Sequence, residues 1–129
     1  MKKSILFSFV LAMLFMNFTC EDDTPVTNVN PSDELLQKKQ AILDYVAGFS
    51  CGEAVGCQYL SFGEKACGGP KEYLVFPASV DLVFLNAKVT EYNALEKQFN
   101  NDNNIFSDCM AVMPPTNVGC VNGKCQIIP

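Results

Sequence analysis

The sequence contains no histidine and no tryptophan, and all nine of its basic residues are lysine, so arginine is missing as well. Each absence removes a class of chemistry. Without histidine there is no imidazole general base, no Ser-His-Asp triad and no His-ligated zinc site. Without arginine there is no planar guanidinium to clamp a phosphate or carboxylate through two parallel hydrogen bonds. Fourteen Asp and Glu outnumber the lysines and leave a formal net charge of −5. Such a chain lacks the cationic contacts on which nucleic-acid affinity rests, and no nucleic-acid partner is expected. Charge does not draw it to anionic lipid either. The carboxylates Glu53, Glu64, Asp81 and Asp108 are far apart in the chain, and nothing in their spacing brings two together as acid and base. No phosphate-loop pattern exists. The composition speaks against an enzyme, and no cofactor is expected.

What is present begins at the N-terminus. Lys2 and Lys3 precede an apolar run from Ile5 to Phe18, broken only by Ser8 and Asn17. That run is shorter than the roughly 20 residues a membrane-spanning helix needs, and it has the layout of an export signal. It closes at Thr19 and Cys20, and Glu21, Asp22 and Asp23 follow. A cysteine directly after the apolar segment, with an acidic run behind it, resembles the bacterial lipoproteins. The resemblance covers only the first twenty-three positions, and Asn17, Phe18 and Thr19 depart from the Leu or Val and small residues usual there. It implies a signal peptide over residues 1–19, cut before Cys20, with Cys20 lipidated and anchoring the chain to a membrane. The place it implies is the cell envelope, at the outer membrane or cell surface. Residues 20–31 then read as a polar tether, and ten extended residues span at most about 35 Å. Loss of the signal would leave seven lysines against fourteen acids.

Six further cysteines follow: Cys51, Cys57, Cys67, Cys109, Cys120 and Cys125. An even number in an exported domain of this size predicts three disulfides, with fifteen connectivities open. Asn122-Gly123 lies midway between Cys120 and Cys125 and signals a two-residue hairpin turn. Cys120 and Cys125 then face each other, and a bond between them is one option. The other sends each sulfur to a different element. Cys67 with Cys109 is a plausible long-range bridge. The intervals between successive cysteines are five, nine, forty-one, ten and four residues. None is a C-x-x-C knuckle, so neither a metal site nor thiol redox catalysis is expected.

Residues 32–129 read as one disulfide-rich domain. Ser32, with Asp33 and Glu34 in a first turn, predicts a helix over 33–47 carrying Leu35, Ile42 and Val46 on one face. Gln58–Phe62 and Glu72–Phe76 read as strands. Leu82, Leu85, Val89, Tyr92, Leu95 and Phe99 recur at helical spacing and predict an amphipathic helix over 80–99, with Ser79 as its cap. Glu96 and Lys97 fall on its outer face in that reading. Asn100, Asp102 and Asn104 alternate as calcium ligands do, but Ile105 and Ala111 stand where an EF-hand needs Gly and Glu, so the cluster reads as a stop. Ser107–Met113 reads as a strand and Gly119–Ile128 as a hairpin. The order predicts an α+β fold, two helices packed on a small antiparallel sheet.

Two segments stand out as candidate binding elements. Gly68, Gly69 and Pro70 follow Cys67, and paired glycines permit unusual backbone shapes. Pro114 and Pro115 form a loop between cross-linked segments. A non-enzymatic binding or interaction module, with a protein or envelope component as partner, suits a rigid bridged scaffold. A protease inhibitor is one form of it, because bridges pre-organise an exposed loop. A structural envelope accessory and a carboxylate-based glycan hydrolase are the alternatives.

Overall fold

The computed structural model describes residues 30–129. The expected signal segment, Cys20 and the tether up to Val29 lie outside the described residues. The fold is α+β, with two helices and two small antiparallel hairpins. Helix α1 spans Pro31–Ala47, strands β1 and β2 span Cys57–Phe62 and Glu72–Pro77, and helix α2 spans Leu82–Asp102. Strands β3 (Val118–Val121) and β4 (Lys124–Ile127) close the chain. No helix among the described residues is long and apolar enough to cross a membrane.

Both helices start on caps other than those expected. Asn30, not Ser32, caps α1: its side chain accepts from Ser32 N at 3.2 Å. Pro31 then occupies the first turn, where its missing N–H costs nothing and its fixed φ suits a helix. The helix thus takes in Pro31, the last residue assigned to the tether. Asp81, not Ser79, caps α2, accepting from Val83 N at 2.9 Å and Phe84 N at 3.0 Å. Two satisfied donors outweigh a serine two residues upstream whose neighbour Val80 is buried in the core.

Residues Leu35, Ile42 and Val46 of α1 meet Leu85, Val89 and Tyr92 of α2, and both helices lie on one face of the β1–β2 hairpin. Leu74 and Phe76 point inward from β2, two residues apart as the pleat requires, and Phe62 joins them from β1. Phe62, Phe76 and Leu85 are fully buried. Burying such a side chain stabilises by roughly 1.5–3 kcal/mol. The β3–β4 hairpin has almost no core of its own and rests against β1 and β2.

Three disulfides fasten this arrangement: Cys51–Cys120, Cys57–Cys125 and Cys67–Cys109. The long-range Cys67–Cys109 pair is as expected. Cys120 and Cys125 are register partners, but they do not bond to each other. Each sends its sulfur across to the segment at or just before β1, which pins a hairpin otherwise held by surface packing and a backbone bond from Cys51 N to Gly123 O. The turn between them is as expected, with Asn122 at φ 52° and Gly123 at φ 77°.

Candidate functional site

The connection from β1 to β2 is held onto α2 by a buried polar cluster. Gly63 N donates to Asn93 Oδ1 at 2.9 Å, and Glu64 N donates to Glu96 Oε2 at 2.7 Å. Asn100 Nδ2 donates to Glu64 O at 2.9 Å. The other oxygen of Glu96 accepts from Lys71 Nζ at 2.6 Å and from the Tyr92 hydroxyl at 3.2 Å. Gly63 is required twice: its φ is +76°, and a Cβ there would stand 3.0 Å from Glu96 Oε2. Glu96 is therefore buried, not on the outer face. Burial and then the Glu96 charge hold the Tyr92 hydroxyl far above its ordinary range. Among the described residues no buried side-chain polar atom lacks a partner. This cluster is a clamp that fastens the β1–β2 connection to α2.

Beyond the clamp, the loop turns on Gly68 and Gly69, at φ +92° and +83°. Lys65 N donates to Gly69 O at 2.8 Å, and Gly68 N donates to Lys65 O at 2.9 Å. A Cβ at Gly68 or Gly69 would meet nothing within 4 Å, so the glycines serve the backbone turn and not a close approach. Both are exposed, and Pro70 is half-buried.

The loop carries a second segment on its outer side. Residues 105–117 have no strand pairing and run over the surface. The Cys67–Cys109 bridge ties this strap down, and Lys65 Nζ donates to Asp108 Oδ1 at 2.6 Å and to Met110 O at 2.7 Å. Cys67 N donates to Ser107 Oγ at 3.3 Å, and the Tyr73 hydroxyl to Val112 O at 3.4 Å. The strand expected over Ser107–Met113 does not form, because side chains of the body take the carbonyls a ladder would use. Along the fastened strap, Phe106, Met110 and Met113 stand 91%, 74% and 76% exposed. Pro114 is exposed and Pro115 half-buried. The bridge thus joins the Gly68–Gly69 loop to the strap at Cys109, with Pro114 and Pro115 further along it.

The carboxylates weighed as an acid–base pair have separate local jobs. Asp81 caps α2, Asp108 pairs with Lys65, Glu64 enters the clamp through its backbone, and Glu53 sits in a turn between Gly52 and Val55. Asn100 belongs to the clamp, and Asn103 ends α2, so the Asn-rich stretch is a helix stop. A groove of about 220 Å³ lies between α1 and α2, walled by Ile42, Tyr45 and Phe84. Its mouth is crossed by Lys38 and Glu91 at 2.6 Å, and that hydrogen bond holds the Glu91 carboxyl below its ordinary range. Lys88 stands 3.9 Å from the same carboxylate, so the groove presents no unpaired charge to orient a ligand. The strap is the better candidate.

The composition pointed to neither Phe106, Met110 and Met113 nor the anchoring role of Lys65. The signal for Glu96 was present: it lies four residues after Tyr92, on the continuing stripe of α2. Comparison of the chain with protein-family models, curated proteins and solved structures finds no match.

Proposed function

We propose that the chain is an exported, lipid-anchored binding module of the cell envelope, non-enzymatic, that holds a protein partner through the strap. The observation that carries this reading is the pairing of exposure with constraint. Phe106, Met110 and Met113 offer apolar surface to solvent on a segment already fastened by a disulfide and four hydrogen bonds, two of them to its backbone carbonyls. A contact segment fixed beforehand loses little conformational freedom on association. Three bridges support an oxidising compartment, in keeping with a signal that ends at Cys20. A protease is one form of partner, since proteases grip extended, pre-organised loops.

A photo-reactive residue placed at Phe106 or Met113, in the native bacterial envelope, tests the strap. A discrete covalent adduct is expected from these positions and none from a control at Lys97 on α2. Equal labelling at all three, or no adduct from the strap, refutes the binding role. Intact mass of the native protein tests the anchor: loss of residues 1–19 and acyl chains on Cys20 are expected, and retention of Met1 refutes it. Titration against serine and cysteine proteases decides the inhibitor form.

A further inference from the structure

Cysteine spacing along the chain contains no metal knuckle, but the fold assembles one from two turns. The first turn runs from Cys51 to Cys57 and is closed by the antiparallel bridge between Gly52 and Val55. The second runs from Cys120 to Cys125 around Asn122-Gly123. The two meet head to head. The Sγ atoms of Cys51, Cys57 and Cys125 all lie within 4.8 Å of one another, and the fourth sulfur, that of Cys120, is bonded to Cys51. The first turn thus supplies two sulfurs to the cluster and the second turn one, with Cys120 held against Cys51.

Backbone bonds hold the turns together independently of sulfur. Cys51 N donates to Gly123 O at 3.1 Å, joining one turn to the other. Ala78 N donates to Gly56 O at 2.8 Å, fixing the first turn to the end of β2. Opening the two bridges frees three thiols that already lie within 4.8 Å of one another and a fourth, Cys120, beside Cys51. Four thiolates about 2.3 Å from one zinc stand about 3.8 Å apart, a spacing within the 4.8 Å that the three clustered sulfurs already span, with Cys120 to swing in from Cys51 as the fourth.

We propose that the thiol form of this domain binds one zinc-class divalent cation through Cys51, Cys57, Cys120 and Cys125. The bridged form is then the product of oxidising that site. Four protein thiolates lose four electrons to two molecules of a small-molecule disulfide. Two protein disulfides and four small-molecule thiolates result, and the divalent ion leaves unchanged in charge. Metal and bridges are alternative staples for the same two turns. This inference stands apart from the strap and from the anchor.

The full chain, reduced without oxygen by a phosphine, is titrated with cobalt(II) as a spectroscopic probe. One ion per chain with the intense visible absorption of a tetrahedral thiolate site is expected. The Cys67→Ser/Cys109→Ser variant should keep that spectrum. Cys57→Ser and Cys125→Ser should each lose it, with zinc affinity down by more than about tenfold, since even outer partners of a ligand are worth about 10–100-fold. Added oxidised glutathione should expel the ion as the bridges form. No cobalt spectrum in the reduced wild type, or one that survives Cys57→Ser, overturns the proposal. If reduction unfolds the chain, zinc must restore its far-ultraviolet circular dichroism in the wild type and not in Cys57→Ser. A wild type that stays unfolded in excess zinc overturns it equally.

Discussion

Glu96 carries more of the local structure than any other charged side chain described. It receives the Glu64 backbone N–H, the Tyr92 hydroxyl and the Lys71 ammonium, and it is almost wholly buried. Glu96→Ala leaves the first two without acceptors. Hydrogen bonds to a charged group contribute about 1.5–3 kcal/mol, and Lys71 is exposed enough that solvent screens its share. A loss of about 2–3 kcal/mol is expected in urea unfolding. Glu96→Gln, which keeps one acceptor, should lose less. Tyr92 gives the pH dependence. Its folded-state pKa lies above the ordinary 10.0. The folded state therefore holds a proton that the unfolded chain releases first. The associated stability is intact below pH 10 and is lost as pH rises beyond it. Unfolding midpoints measured upward from pH 8 should fall in the wild type above about pH 10 and fall less steeply in Tyr92→Phe. Equal slopes would assign the alkaline loss to another group.

At the scale of elements, the sequence was most legible where a local rule had no competitor. The amphipathic stripe of α1, the Leu85, Val89 and Tyr92 centre of the α2 stripe and the Asn122-Gly123 turn depend on neighbours in the chain and stand where periodicity and turn chemistry put them, whereas Leu82 is exposed and Glu96 buried. Each helix starts two residues from its expected position because capping residues stand close together, and at α2 the burial of Val80 favours Asp81 over Ser79. The Ser107–Met113 segment was misread for a different reason. Its composition suits a strand, but a strand exists only through a partner, and the partner here is a lysine, a tyrosine hydroxyl and a disulfide. The candidate site is half legible: Pro114–Pro115 lies on the strap and the Gly68–Gly69 loop is bridged to it, but the alternating apolar residues between read as strand. Three expectations follow at this scale. The triple substitution Phe106→Ser, Met110→Ser, Met113→Ser should leave the urea midpoint unchanged, within about 0.5 kcal/mol, because these side chains touch solvent. The same variant should abolish the envelope adduct formed from a photo-reactive residue at Pro114. Gly123→Val forces a branched side chain into left-handed backbone and should cost about 1–2 kcal/mol.

At the scale of the whole molecule, the bridges do what the core of the terminal hairpin does not. Each of Cys51–Cys120 and Cys57–Cys125 closes nearly seventy residues, at separations of 69 and 68. Alone, a loop of that length restricts the unfolded chain by about 4.4 kcal/mol on the chain-entropy account. The two are not independent. Cys57 lies six residues after Cys51, and Cys125 five after Cys120. With one bridge in place, the other closes a cycle of only about eleven residues, worth about 3 kcal/mol. Removing either bridge as a serine pair should therefore cost about 3 kcal/mol, and removing the second should cost more than the first, about 3.5 kcal/mol, because the Cys67–Cys109 bridge still shortens its cycle to about 27 residues. The combined loss approaches the roughly 5–15 kcal/mol of a whole domain. Urea unfolding of Cys51→Ser/Cys120→Ser, Cys57→Ser/Cys125→Ser and the quadruple variant reads these values directly. The Cys67–Cys109 bridge, at a separation of 42, should behave differently. Its loop lies inside both of the others but its sulfurs fasten an exposed strap, and on the same account its loss should add to theirs with a smaller enhancement. Amide exchange should then quicken over residues 105–117 while the helices stay protected. Strict additivity between the two long bridges would show instead that they constrain separate parts of the unfolded chain, against the shared turns from which their sulfurs converge.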